Sequence, residues 1–99
     1  MEPFIAMLNS IEWTDRNKAS LALLELTGKR DPAILAMLRA EAFLSLVEMA
    51  RWKSPGHAYS GFVLLGRVGG LAEDEIQAAW DGGYRETLIR KVMEKAKSN

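Results

Sequence analysis

The sequence predicts an all-α fold, an α–α superhelix of about two and a half stacked helical hairpins. Three observations carry that expectation. Apolar residues recur at helical spacing along most of the chain, no stretch alternates with period two, and the apolar pattern repeats at an offset of 39 residues. The offset sets Phe4-Ile5-Ala6-Met7-Leu8 on Phe43-Leu44-Ser45-Leu46-Val47, Ile11 on Ala50 and Trp13 on Trp52. It then carries Ala19, Ala22, Leu23, Leu24 and Leu26 onto Ala58, Gly61, Phe62, Val63 and Leu65, with no gap. A chain that is 48% hydrophobic matches aliphatic residues by chance, so the paired tryptophans and paired small residues weigh most.

The elements follow in order within a single domain over residues 1–99. Residues 1–13 form a partial unit, 14–52 a full one, and 53–97 a second full one that ends in a C-terminal cap. In the first full unit Ala19, Ala22, Leu23 and Leu26 fall at i, i+3, i+4 and i+7, on one helical face. Thr14 or Asp15 can cap that helix, and Gly28 can end it in the left-handed conformation. Asp31-Pro32 supplies an N-cap followed by proline at the first helical position. A single second helix then runs along the stripe Ile34, Leu35, Leu38, Ala42, Leu46, Met49 and Ala50. Ser54-Pro55 repeats the cap and proline for a helix ending near Gly69-Gly70. A last pair spans Ala72 to about Trp80 and Tyr84 to about Lys95, broken at Gly82-Gly83. Its final helix has one apolar stripe, Leu88, Ile89 and Val92, among charged residues, as the terminal unit of a stack requires.

The opposite edge has no such device. Phe4, Ile5, Met7 and Leu8 begin the alignment in mid-unit, so this N-terminal face is expected to meet upstream repeats or to form an oligomer. Burying a side chain of this kind contributes roughly 1.5–3 kcal/mol. Small residues at Ala19, Ala58, Ala22 and Gly61 suit a close helix crossing.

Composition excludes several function classes. Thirteen basic residues balance thirteen acidic ones, so no overall field draws the chain to nucleic acid or an anionic membrane. With no cysteine there is no disulfide, thiolate metal site or thiol nucleophile. The apolar runs are far shorter than the roughly 20 residues that span a bilayer, and Met1-Glu2-Pro3 lacks the basic start of a secretory signal. The expectation is a cytoplasmic chain with no cofactor, no metal and no membrane partner.

The residues now assembled resemble HEAT repeats, including the phycobilisome-lyase HEAT-like variant, whose units run to about 40 residues. Lys18-Ala19 and His57-Ala58 match a basic residue before a small one, Leu65-Gly66 matches the end of the Leu-rich stripe, and Trp13-Thr14-Asp15 is similar to the inter-repeat turn. In the second copy Ser54-Pro55 stands in the Asp region and His57 replaces the basic residue. The resemblance covers residues 4–69 well and 70–97 loosely. It implies an α-solenoid and leaves function open.

No catalytic constellation emerges. His57 is the sole histidine, and no carboxylate lies between Glu48 and Glu73 to orient it. Glu73-Asp74-Glu75 suits the positive end of a helix dipole. Gly66-Arg67-Val68-Gly69-Gly70 lacks the Gly-Lys-Ser/Thr of a phosphate loop. The leading expectation is a non-catalytic scaffold that binds a protein or peptide through Arg39, Ser45, Glu48 and Arg51, which lie off the apolar stripe, joined by Trp80. A second reading is nucleic-acid binding through Arg16, Lys18, Arg51, Lys53 and Arg67, because some HEAT-like proteins hold the DNA backbone on such a ridge. A third, an enzyme or lyase subunit, is implied only by the lyase relatives.

Overall fold

The computed structural model describes residues 2–98, with the side chains of residues 3–97. Seven helices follow one another: α1 Glu2–Leu8, α2 Trp13–Leu26, α3 Pro32–Glu41, α4 Phe43–Ala50, α5 Pro55–Val68, α6 Glu73–Gly82 and α7 Arg85–Ser98. The described residues contain no strand.

Several ends form where local chemistry places them. The Asp31 carboxylate accepts from Ala33 N–H at 2.9 Å and Pro32 opens α3, which removes two of the donors that a helix start leaves unpaired. Gly70 and Gly83 adopt φ of 76° and 77°. Each ends its helix in a Schellman turn, with Leu71 N–H bonded to Gly66 O and Tyr84 N–H to Ala79 O.

Other ends depart from expectation. Glu12, not Thr14 or Asp15, is the N-cap of α2, and Ser10 Oγ accepts its N–H at 3.0 Å. The left-handed residue after α2 is Arg30, at φ 55°, and Gly28 is not left-handed. The reason is that the last carbonyls of α2 are already served. Thr27 Oγ1 donates to Leu23 O, and Arg67 reaches across from α5 to Leu24 O. The expected second helix is also two helices. It breaks at Ala42, whose φ of −136° and ψ of 12° leave the helical region.

The helices recur at an offset longer than 39. Trp13–Leu26 and Pro55–Val68 have equal length at an offset of 42, and Phe43 and Arg85 open α4 and α7 at the same offset. In that register buried Ile5 and Leu8 fall on buried Val47 and Ala50. The 39-residue offset instead sets Ile5 on Leu44, which is 77% exposed. The two offsets differ by three residues, close to one turn of 3.6, so an apolar stripe matches itself at either. The two tryptophans coincide only at the shorter one. Trp13 opens α2, Trp52 lies in the turn before α5, and their rings stack on each other at 4.4 Å. They are neighbours in space and not equivalents.

Helix α5 is the hub, packing against α2, α3, α4, α6 and α7. Eight of its consecutive or near-consecutive residues, from Ala58 to Gly66, are buried, which a central helix requires. At the N-terminal edge, Ile5 and Leu8 are buried and Phe4 and Met7 pack against the core, because α1 lies on α2. This chain's own helices therefore cover most of that face. Ile11, at 90% exposure, is the exception. At the other end α7 buries Leu88, Ile89 and Val92 and turns Arg90, Lys91 and Glu94 to water.

Candidate functional site

The sequence-predicted contacts fall into two groups, those that tie helices together and those that face water. Ser45, Glu48 and Arg51 are all used within the chain. Ser45 Oγ bonds the Asn9 side chain beyond α1, Glu48 pairs with Arg16 at the start of α2, and Arg51 forms two hydrogen bonds to Glu86 of α7 at 3.0 and 2.7 Å. Arg51 and Glu86 hold one another ionised: their hydrogen bond raises the Arg51 pKa and lowers that of Glu86. Helix α4 is thus stapled on both sides by the residues expected to bind a partner.

The basic ridge is dispersed in the same way. Arg16 is largely buried, lies 5.1 Å from the Trp13 ring centre and donates to Ser10 O. Arg67 is 12% exposed and forks onto Glu73 at 2.9 and 2.8 Å, while its other nitrogen donates to Leu24 O and Thr27 Oγ1. Arg30 reaches the same carboxylate at 2.6 Å. Of the five cations, Lys18 and Lys53 alone point to water without a hydrogen-bond or ion-pair partner among the described residues, as Arg39 does on α3.

Arg67 and Arg30 together push the Glu73 carboxyl down to about 2, the Arg67 hydrogen bond being the largest cause. A depressed folded-state pKa stabilises the fold above the unfolded value near 4.5, and that contribution is lost as pH falls towards 2. Glu73 is 54% exposed, so solvent screening holds the effect to about 1 kcal/mol. Melting temperature followed by circular dichroism should fall between pH 4.5 and 2, and Glu73→Gln should flatten that part of the curve. An unchanged slope in the variant would refute the assignment.

Trp80 is gripped by its neighbours. Tyr59 and Phe62 lie against its ring at 5.0 and 5.5 Å, and the Arg85 guanidinium lies 5.0 Å from its centre. The tryptophan that presents its ring is Trp52, at 42% exposure. Beside it are Trp13, whose ring stacks on it, and His57, edge-on to Trp13 at 6.4 Å. Two residues before Trp13, in the α1–α2 turn, is the exposed Ile11, and next to Trp52 in the chain is the exposed Lys53. Among the tryptophans only Trp80 is expected from sequence to bind, so this aromatic edge is not foreseen there. Strong apolar character within turns was the available signal.

Among the described residues no group of three or more His, Asp or Glu side chains is placed to hold a metal ion, and no helix is long and apolar enough to cross a membrane. No protein-family model matches the chain, and neither the curated proteins nor the solved structures yield a match. The HEAT resemblance therefore rests on the residues alone.

Proposed function

We propose that this chain is a non-catalytic module that binds a protein or peptide at its aromatic edge, around Ile11, Trp13, Trp52 and His57. The observation that carries the proposal is the stack of Trp13 on the partly exposed Trp52, with Ile11, 90% exposed, two residues before Trp13 in the chain. Single exposed apolar residues are ordinary, whereas grouped aromatic ones form the anchors of interfaces. The edge stands on a firm base, since Trp13 and Arg16 fix it from below and Arg85 donates to Trp52 O at 2.9 Å. Lys53, next to Trp52 in the chain, remains free to add a polar contact there, while Arg39 lies by Val68 and Gly69 at the far end of α5.

The same reading takes the helices as units of a short α-solenoid, α2–α3–α4 followed by α5–α6–α7, with α1 before them. Support comes from the 42-residue recurrence of helix bounds, which lies within the range for two- and three-helix repeats. The nucleic-acid reading is weaker, because Arg16, Arg51 and Arg67 would each have to leave a carboxylate to meet a phosphate.

Selection of a displayed peptide library on the folded chain tests the proposal. Selected peptides should lose at least about tenfold in affinity against Trp52→Ala, a truncation cost typical of an interface anchor. The variant should stay folded, with a melting temperature lowered by roughly 2–12 °C for the lost ring stack. Peptides that bind the variant equally well would overturn the assignment of the edge. Salt-sensitive binding of duplex DNA would favour the alternative.

A further inference from the structure

The break at Ala42 has no cause in its own sequence. Arg39-Ala40-Glu41-Ala42-Phe43-Leu44-Ser45 contains neither proline nor glycine and is rich in strong helix formers. Sharp helix breaks arise at those residues or where another side chain enters the backbone ladder. Here the entering side chain is Asn9, which continues the last turn of α1 through its N–H to Ile5 O at 3.1 Å. In an unbroken helix the Glu41 carbonyl would accept from Ser45 N–H. Instead it accepts from Asn9 Nδ2 at 3.0 Å, while Ser45 Oγ donates to Asn9 Oδ1. One amide therefore occupies both sides of the gap.

We infer that residues 32–50 form a two-state element, broken at Ala42 while Asn9 is latched and one continuous helix when it is not. Local preference favours the continuous form. Tertiary contacts favour the broken one, because the bend lets both Leu38 of α3 and Leu46 of α4 bury themselves in the common core. An open depression of about 300 Å³, lined by Asn9, Ala40, Glu41, Phe43, Leu44 and Ser45, gives the chain room to straighten there. Leu44, 77% exposed, packs too lightly to resist.

Nuclear magnetic resonance of the full chain tests this. In Asn9→Ala the Cα shifts of Glu41 to Ser45 should move to continuous-helix values. Amide exchange of Phe43, Leu44 and Ser45 should slow by about tenfold or more as their ladder bonds form. Adding Ala42→Gly should restore the broken pattern, because glycine disfavours a helix interior. Should Asn9→Ala fail to fold, Ser45→Ala removes only the hydroxyl that orients the amide and should shift the same signals part of the way. Unchanged shifts and exchange in a folded Asn9→Ala, or in Ser45→Ala, overturn the latch.

Discussion

Gly61→Val should lower stability by about 3 kcal/mol, the upper part of the range for overpacking a filled core. Gly61 is buried in α5 where that helix crosses α4. A Cβ at this position would stand 2.6 Å from Met49 Cβ and 3.5 Å from the Ala50 nitrogen. Met49 Cβ is fixed to the backbone and has no rotamer that clears the space. Helix α4 would have to move off α5, loosening Leu46, Met49 and Ala50 together. For a domain of this size the melting temperature should drop by about 12–24 °C. Gly56 is the internal control, because a Cβ there meets nothing within 4 Å. Gly56→Ala should stabilise by about 0.5–1 kcal/mol, since it only restricts the unfolded chain. Equal melting temperatures for Gly61→Val and the parent would show that the two helices are not in close contact.

Arg67→Ala should cost about 2 kcal/mol, mainly because Leu24 O and the buried Thr27 Oγ1 lose their charged donor. The guanidinium joins three elements. It closes the end of α2 through Leu24 O and Thr27 Oγ1, belongs to α5, and forks onto Glu73 at the start of α6. Thr27 is fully buried, so water cannot easily replace the lost donor. Arg67→Lys keeps the charge but not the planar fork and should recover less than half of the loss. Chemical denaturation of both variants measures this. Full recovery with lysine would show that charge alone matters and that the fork does not.

These residues mark how far one-dimensional reading reaches. Helices beginning at Pro32 and Pro55 and ending before Gly70 and Gly83 were readable because their signals are local. Proline lacks an N–H, and glycine accepts positive φ. The 39-residue offset did not match the 42 residues between the starts of α2 and α5 and of α4 and α7, since a three-residue slip leaves an apolar stripe nearly superposed. Arg16, Arg51 and Arg67 looked like a free basic ridge because their partners lie 32, 35 and 6 residues away along the chain. Of these, only Glu73 is close enough in sequence to Arg67 to be suspected.

By itself the sequence determined that this chain is helical, where most helices start and stop, and which faces are apolar. Those are short-range matters, decided within a turn or two by backbone geometry and side-chain spacing. Only the tertiary structure decided that Ala42 breaks a helix of good formers, that Arg30 and not Gly28 takes the left-handed turn, and that Trp52 faces outward. Each of these depends on a side chain arriving from a distant element, Asn9, Arg67 or Trp13, whose hydrogen bonds or stacking outweigh the local preference.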